Sequence, residues 1–374
     1  MKQSASSPEH PASNATIRAF PRRGFLETLG VGSLAAVFGG AGSAPGRAAD
    51  LHETPKAWEP VSERKVRVGI VGYGVCRFGA DFGFQDHPNV EVVAVSDLFS
   101  DRRDGLMKAC RCSKSYESLE VLVKDPAIEA VFVATDAPSH ARHCIEVLKH
   151  GKHVMCAVPA TFGSIEEGER LFETVKQTGL KYMMAETSCY HASCHAMRTI
   201  YRAGGFGRLV YSEGEYYHHV TAPIDSYKGW RIGSPPLWYP THSTAFYVGV
   251  TGQRFTSVSC LGFKGTSAVH GPGGNAYQNP FADEIALFET SEGGVSRMLM
   301  SMSVAGLVNE TGRVFGERGR MAGMQYWGKI EESLPDISRP ALPPGVPAGG
   351  HGGSHGPLMH EFITAILEDR EPLV

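Results

Sequence analysis

Short apolar runs alternate with longer amphipathic segments in the first part of the chain. The runs predict buried strands, and the segments between them predict helices, with strands at 66–72, 90–95, 130–134 and 153–155 and helical stretches at 141–149 and 165–178. This alternation is typical of a doubly wound parallel sheet. We therefore predict an α/β domain over residues 64–186.

The pattern changes after residue 186. Longer strands with alternating polar and apolar residues are predicted, at 209–218, 255–261, 284–290 and 295–303. Such alternation indicates a largely antiparallel open sheet, so residues 187–374 are predicted to form an α+β domain. The chain stops at 370–374 without a polar tail, and we expect it to be truncated there.

The first 50 residues have a different composition from the rest. Pro21-Arg22-Arg23-Gly24-Phe25-Leu26 is followed by a Gly- and Ala-rich apolar run and by small residues near 48–49. This order predicts a twin-arginine signal, and hence a protein that is periplasmic or otherwise exported by the twin-arginine machinery; the alternative is a leader with two chance arginines. The run is too short for the roughly 20 residues that span a bilayer, so no stable membrane span is predicted.

Composition narrows the class of protein. The chain has 374 residues, 42% of them hydrophobic, and a formal net charge of −3, which fits a globular protein of about two domains. Without clustered Lys and Arg there is no surface for phosphate backbones, so nucleic acid is not a predicted partner. The eight cysteines form no CxxC pair and are interpreted mostly as buried apolar residues.

A glycine turn after the first strand predicts a dinucleotide site. Gly72 permits a tight turn and Gly74 lets the backbone approach a pyrophosphate at a helix N-terminus. Asp97, at the end of the next strand, is placed to accept hydrogen bonds from a ribose and favours NAD, although Arg102 and Arg103 keep NADP open. Where the third glycine is expected the chain has Arg77, so either the helix begins late or Arg77 faces phosphate.

Four longer segments resemble the Gfo/Idh/MocA oxidoreductase family: VGIVGYG, VVAVSD, IEAVFVATDAPSHARHCIEVLKHGKHV and GGFGRLVYSEGEYYHH. The resemblance implies an N-terminal Rossmann domain, a C-terminal domain often used for contacts between subunits of a homo-oligomer, and a substrate pocket between the two. Thr135, Pro138, His140 and Pro159 match positions of the family's cofactor site.

The family's Glu-Lys-Pro falls on Ala157-Val158-Pro159, which removes the lysine that bridges nicotinamide and substrate. A narrower resemblance is to glycoside hydrolase family 109, which has Val-Pro in place of Lys-Pro. The matching segments include Met183-Met184, Glu186, Cys189-Tyr190, Trp230-Arg231, Tyr239-Pro240-Thr241-His242 and His351-Gly352-Gly353. That branch keeps a Glu where this chain has Ala157 and a Gly where it has Ser243.

Another base must replace the missing lysine, and His is the side chain that titrates near neutral pH. His242 and Tyr239 are the predicted catalytic pair, with His242 at the position of the family's catalytic His. The predicted substrate contacts are a carboxylate, three aromatic residues and an arginine, namely Glu186, Tyr190, Tyr217, Trp230 and Arg231. His218-His219, His351, His355 and His360 show no recognised ligand spacing, so no metal site is predicted.

Three functions follow from these residues. Outside the cytoplasm there is no pool of NAD and no machinery to reoxidise NADH, so we expect a redox-neutral cycle on a retained cofactor. The first prediction is an NAD(P)-dependent oxidoreductase acting on a sugar or polyol. The alternatives are an NAD-dependent glycosidase or lyase that works by transient oxidation at C3 and elimination, and a non-catalytic protein that binds cofactor or sugar.

Overall fold

The computed structural model describes residues 49–54, 56–270, 273–328 and 334–373. Nearly all of the predicted signal, including Arg22 and Arg23, lies outside these ranges. Within them, fourteen strands form two sheets. The first strand, β1 (Ala49–Asp50), pairs into the eight-stranded sheet, whose other strands all follow the parallel sheet in sequence. No helix in the described ranges has the length and apolar character needed to cross a bilayer.

The first sheet is entirely parallel, with strand order β4-β3-β2-β5-β6-β7. Its central strand is buried on both faces, since Val66, Val68 and Ile70 are fully inaccessible, which explains the continuous apolar run in the sequence. The predicted doubly wound parallel sheet is confirmed. Its strands are β2 (Val66–Val71), β3 (Val90–Ser96), β4 (Ser115–Tyr116), β5 (Ala130–Val133), β6 (His153–Cys156) and β7 (Tyr182–Met184).

Helices connect these strands and then recur through the second half. The longest in the first half begins at the N-cap Ser164, whose side chain accepts the Glu167 N–H, and ends at Gly179 with positive φ. The ten helices of the described ranges are α1 (Phe78–Asp81), α2 (Ser100–Cys110), α3 (Leu119–Leu122), α4 (His140–Lys149), α5 (Ile165–Thr178), α6 (Ala192–Arg202), α7 (Thr241–Thr244), α8 (Val248–Thr251), α9 (Gly350–Gly353) and α10 (His355–Leu367).

The second sheet has eight strands in the order β1-β14-β13-β12-β8-β11-β10-β9. All neighbours are antiparallel except β8 and β11, so the predicted largely antiparallel sheet is confirmed. Its remaining strands are β8 (Leu209–His218), β9 (Phe255–Lys264), β10 (Phe281–Thr290), β11 (Val295–Ser301), β12 (Val308–Gly316), β13 (Gly319–Ala322) and β14 (Gln325–Gly328).

Helix α7 lies directly on this sheet. A side chain at Gly214 of β8 would collide with the backbone carbonyl of Ser243, and one at Gly312 of β12 would collide with Phe246. Gly214 is needed because α7 and β8 meet at backbone distance, and Gly312 because the Phe246 ring packs directly onto β12. This contact fixes His242, which is the second residue of α7.

The last helix returns to the first sheet. Leu358, Phe362 and Ile363 of α10 are fully buried in the same apolar cluster as Val66 and Phe84. The segment that the pattern assigned to the second half of the molecule therefore completes the core of the parallel sheet.

Candidate active site

The glycine turn lies at the carboxyl edge of the parallel sheet, where ligands bind in folds of this type. Gly72 has φ of 103°, and a side chain there would collide with the Ala134 carbonyl. A side chain at Gly74 would meet only Arg102 Nη1, at 4.0 Å, because this position faces an open cleft. The turn thus presents bare backbone to the cleft, as a pyrophosphate requires.

Arg77 ends the turn rather than beginning the helix. It is the N-cap of α1, has φ of 49° and lines the cleft. The close packing expected of the third glycine is supplied by Gly79, where a Cβ would lie 2.5 Å from the Gly72 carbonyl oxygen. The helix therefore begins one residue late, as one of the two alternatives predicted, and Arg77 stays beside the cleft.

Asp97 closes the turn from the neighbouring strand. Its Oδ2 accepts the Tyr73 N–H at 2.8 Å and its Oδ1 accepts the Phe99 N–H at 3.0 Å. Each carboxylate oxygen has a second lone pair and can still accept from a ribose hydroxyl. Arg103 donates to the Asp97 carbonyl at 2.9 Å, while Arg102 lies over the Phe99 ring and lines the cleft.

The residues that match the family's cofactor loop differ in whether their side chains face the cleft. Thr135 lines the cleft, and its Oγ1 lies 2.9 Å from His143 Nδ1. His140 also borders the cleft but is 1% exposed, with Nδ1 2.7 Å from the Pro159 carbonyl oxygen and Nε2 3.2 Å from the Thr135 carbonyl oxygen. The two ring nitrogens of His140 therefore connect the loops that follow β5 and β6, and neither is left free for a ligand. Pro138 is exposed and is not among the residues described as lining the cleft.

The floor of the cleft carries no charge where the family has its Glu-Lys pair. Ala157 and Val158 line it with methyl groups, and Pro159 follows, buried. Of the arginines described as lining the cleft, Arg231 also lines a second cavity, and its guanidinium lies 4.3 Å from the centroid of the Trp230 ring.

His242 is held by a buried carboxylate. Its Nδ1 lies 2.8 Å from Glu186 Oε1, and both side chains are 3% exposed. Burial would lower the pKa of His242, but the charge and hydrogen bond of Glu186 outweigh burial and raise it above its ordinary value. Glu186 was predicted as a substrate contact; the structure shows it orienting the imidazole so that Nε2 is the free ring nitrogen.

Glu310, on β12, is a second carboxylate at this histidine and was not predicted from the sequence. Its Oε2 lies 3.8 Å from His242 Nδ1, accepts the Ser188 hydroxyl at 2.6 Å and lies 3.3 Å from His191 Nε2. No local signal identifies Glu310, because it lies more than a hundred residues from Glu186. The pairing of β8 with β12 places Glu310 opposite Tyr216, whose ring packs against His242.

Two tyrosines pack against His242, at 4.6 Å for Tyr216 and 5.4 Å for Tyr239 between ring centroids. Burial raises the pKa of Tyr239, so its hydroxyl stays protonated and can donate. Tyr217 was the predicted contact but points to the opposite face of β8, because successive side chains of a strand alternate. Glu213 and Glu215 face that side too, so the polar alternation of SEGEYY was the signal that Tyr216 faces inward.

Tyr190 is not a substrate contact in this structure. It is 1% exposed, packs in the core of the parallel sheet and is absent from the described linings of both cavities. Its ring lies 5.4 Å from the Arg198 guanidinium, which donates to the Cys189 carbonyl. The aromatic pattern did not distinguish a core tyrosine from a pocket tyrosine.

A second cavity of about 580 Å³ adjoins the cleft. Trp230 and Arg231 line both, while Tyr216 and Tyr239 line the second one alone. The predicted contacts Trp230 and Arg231 thus lie where cofactor and substrate spaces meet, next to the rings that enclose His242.

Glu186, His242 and Glu310 could also hold a cation, since one ligand atom from each lies within 4.8 Å of the others. The sequence predicted no metal because these residues come from three distant segments. A metal ion at Nδ1 would displace the proton shared with Glu186. The 2.8 Å contact and the raised pKa of His242 describe an acid–base pair in which that proton offsets the buried negative charge.

Together, the parallel sheet and the glycine turn at its carboxyl edge define a dinucleotide-binding protein. Residues 66–186 match the Gfo/Idh/MocA model, described as an oxidoreductase family with an NAD-binding Rossmann fold. The resemblance predicted from the sequence is confirmed over these residues.

Curated relatives carry a narrower name. A glycosyl hydrolase family 109 protein of Porphyromonas gingivalis is 25% identical, with 81% of this chain and 68% of that protein covered. A second such protein, from Akkermansia muciniphila, is 25% identical, with 94% and 89% covered. One from Phocaeicola vulgatus is 32% identical, but only 43% of this chain and 31% of that protein are covered.

Solved structures share the fold. Apo scyllo-inositol dehydrogenase from Lactobacillus casei superposes with a TM-score of 0.64 at 15% identity, covering 83% of this chain and 90% of that one. Levoglucosan dehydrogenase in complex with NADH and levoglucosan gives a TM-score of 0.66 at 16% identity, covering 82% and 91%.

Proposed function

We propose that the protein is an NAD-dependent oxidoreductase that acts on a sugar or polyol and retains its cofactor through a redox-neutral cycle. The observation that carries the proposal is the buried Glu186–His242 pair, which packs against Tyr239 of the second cavity's lining. His242 itself is not among the residues described as lining either cavity, so Tyr239 is the side chain of this group that faces the substrate space. The solved neighbours with sugar and inositol substrates support the same class of chemistry.

The chain's own residues provide the binding and acid–base parts of this reaction. The Gly72–Gly74 turn, Arg77 and Asp97 would hold NAD, which when bound would accept a hydride from one sugar or polyol and return it to the carbonyl of a second, so that the cycle is redox-neutral. His242, oriented by Glu186, accepts the proton of the substrate hydroxyl at Nε2. Tyr239 donates a hydrogen bond from its protonated hydroxyl.

Arg231 takes over the charge of the missing lysine. Its guanidinium is permanently positive and lines both spaces, so it can stabilise an oxygen that becomes negative as its proton leaves. It cannot itself accept the proton, which leaves that role to His242.

The test is turnover of a panel of sugars, polyols and methyl glycosides by His242→Gln protein whose nicotinamide content is measured. We expect bound nicotinamide near one equivalent in both proteins and turnover reduced by about 100-fold or more. Tyr217→Phe, on the far face of β8, is the matched control. Full activity of His242→Gln would overturn the assignment of His242 as the base. Loss of turnover on EDTA treatment would show that the cluster acts as a metal site instead of an acid–base pair.

A second candidate is a glycosidase that oxidises C3 transiently, so that the proton at C2 becomes acidic and the C1 substituent is eliminated. The glycosyl hydrolase names of relatives aligned over most of this chain favour it. In deuterated water this route places deuterium at C2 of the released sugar, with no net reduction of cofactor. Lactone formation coupled to reduction of bound NAD would support simple oxidation instead.

We also propose that the open face of the second sheet joins two copies of the chain. Leu261 is 83% exposed, and Phe263, Ile285 and Leu287 on the same face of β9 and β10 are exposed as well. Contiguous apolar side chains of this kind mark interfaces. Sedimentation should show an oligomer that Leu261→Lys with Leu287→Lys dissociates, while Val308→Lys on another part of the sheet does not; a monomeric wild type would contradict the proposal.

Export is proposed from the Arg22-Arg23 signal. Arg22→Lys with Arg23→Lys should retain the protein in the cytoplasmic fraction, because the twin-arginine machinery reads the pair as an address. Equal periplasmic recovery of both forms would contradict this route.

A further inference from the structure

A short segment from the second half of the chain reaches the cofactor cleft. Residues 226–231 lie between β8 and α7 in sequence, yet five of them border the cleft, namely Ser226, Tyr227, Lys228, Trp230 and Arg231. In folds of this type the pyrophosphate and the ribose are held by residues of the parallel-sheet domain. Here the cofactor space also has a border that the second half of the molecule supplies.

Hydrogen bonds within the segment fix it as a compact turn. The Gly229 N–H donates to the Ser226 carbonyl at 2.8 Å, and the Ser226 hydroxyl accepts the Arg231 N–H at 3.1 Å. Lys228 has φ of 53°, in the left-handed region that residues other than glycine rarely adopt. Such a conformation persists where the surrounding structure imposes it, so the shape of this turn is set by the fold.

Contacts attach both ends of the segment to the parallel-sheet domain. At one end the Tyr227 ring meets the Phe99 ring edge-on, with 6.1 Å between centroids. At the other end Arg231 Nη2 donates to Cys76 Sγ at 3.8 Å. Phe99 lies two residues after Asp97, which marks the ribose end of the cleft, and Cys76 lies in the glycine turn. The segment is therefore attached to the border of the cleft at two separate points.

One end is anchored more firmly than the other. Trp230 packs edge-on against Phe162, with 5.4 Å between ring centroids, and its carbonyl accepts the Tyr277 hydroxyl at 2.7 Å. Within the described residues, the Tyr227 side chain has ring contacts with Phe99 and the neighbouring lysine but makes no hydrogen bond. The Tyr227 end can therefore separate with the smaller loss of contacts.

We propose that residues 226–231 form a strap that holds bound NAD in the cleft, and that the Tyr227–Phe99 contact must open before the cofactor can leave. The proposal rests on the retained cofactor of the proposed function. Lys228 is exposed at the border of the cleft and forms no ion pair in the part of the chain that the structure describes, so its charge is available to a pyrophosphate.

The test follows the exchange of bound, radiolabelled NAD with excess unlabelled NAD, which requires no turnover. We expect Tyr227→Ala to release NAD about tenfold faster than the wild type, since an edge-on aromatic contact contributes up to that much. Tyr227→Phe keeps the ring and should release NAD at the wild-type rate. Phe172→Ala is the matched control, because it removes an exposed ring of α5 that is not among the residues described as lining the cleft.

The rate of refilling distinguishes a strap from an ordinary contact. A strap must open before NAD can enter emptied protein, so Tyr227→Ala should also take up NAD about tenfold faster, whereas a misfolded cleft would take it up more slowly. Lys228→Gln should release NAD faster and with a weaker dependence on salt, because one screened attraction is lost. Its control is Lys149→Gln, on the exposed end of α4.

The outcomes separate the strap from the proposed reaction. Equal release of NAD from the wild type and from Tyr227→Ala overturns the strap, and so does faster release combined with slower uptake. Slow release from the wild type and fast release from Tyr227→Ala, without turnover of any sugar or polyol, would overturn the proposed reaction and leave the strap supported.

Discussion

The two faces of the second sheet carry two charge clusters built on the same pair of strands. On the inner face, Glu310 of β12 joins Glu186 around His242, and all three are nearly buried. On the outer face, Glu213 of β8 pairs with Arg313 of β12 and with Arg297 of β11. Carboxylates are present on both faces, but the cations that neutralise them differ.

That difference distinguishes a cluster that can exchange protons from one that can only stabilise the sheet. The outer guanidinium groups are charged at every pH the protein meets, so their pairs neither gain nor lose protons. The inner imidazole can exist with or without its proton, and burial makes its charge depend on Glu186. The cluster that can change its protonation state therefore lies on the enclosed face, where water does not weaken its electrostatics.

The largest expected effect is that of removing the inner carboxylate charge. Glu186→Gln should lower turnover by about 100-fold or more, because His242 loses both its orientation and the charge that sustains its basicity. Glu215→Gln, its counterpart on the outer face, should keep nearly full activity. Steady-state rates at equal nicotinamide occupancy would measure both, and similar losses in the two variants would remove the distinction between the faces.

Substitution of Tyr216 and of Tyr217 tests the same difference between the two faces of the sheet, with a smaller expected effect. Tyr216→Leu removes a ring that packs against His242 and should reduce turnover on the order of tenfold to a hundredfold by loosening the imidazole. Tyr217→Leu alters only the outer face and should leave turnover unchanged. Equal losses of activity in the two variants would contradict the distinction between the inner and outer faces.

The pH dependence should distinguish the faces next. Because the base must be neutral and its pKa is raised, kcat/KM should rise with pH through a value above 6.5. Glu186→Gln should move this limb to lower pH, since burial and the charge of Arg231 then lower the pKa of His242 against Glu310 alone, whereas Glu213→Gln should leave it in place. Coinciding pH profiles in all three proteins would show that His242 is not the titrating base.

The same raised pKa affects stability. A group whose folded pKa exceeds its unfolded pKa stabilises the fold fully below the unfolded value and loses that contribution as pH rises through the folded value. His242 should therefore contribute more to the free energy of unfolding at pH 6 than at alkaline pH, and denaturant titrations of the wild type and His242→Gln should diverge on the acid side.

The smallest effect is expected on the outer face. Arg297→Gln breaks contacts with Glu213 and Glu215 that are about a quarter exposed on the arginine side, so the free energy of unfolding should fall by about 1 kcal/mol or less. Neither turnover nor its pH profile should move. Denaturant midpoints and rates would check this, and a loss of activity would couple the two faces.

Much of the fold was predictable because its signals are local. Buried parallel strands give continuous apolar runs, and the turn at Gly72 and Gly74 directly follows one of them. The same holds for His242, identified through a short motif. The role of Gly79 was less accessible, since it depends on how closely α1 approaches the Gly72 carbonyl.

The remaining site residues depended on tertiary structure. Glu310 reaches His242 through strand pairing, which no neighbouring residues specify. Tyr190 and Tyr216 are both buried tyrosines, and only their three-dimensional surroundings place one in a core and the other beside His242. The choice of Tyr217 was a one-residue error in strand phase that the flanking glutamates could have corrected.

The packing of α10 on the parallel sheet has a consequence for the order of synthesis. Ribosomes deliver the cofactor-binding segment early, yet Val66 and Phe84 are covered by Leu358 and Phe362, which emerge almost last. The nascent nucleotide-binding region therefore exposes an apolar surface until translation is nearly finished, and chains released before residue 358 are expected to bind chaperones or hydrophobic dyes.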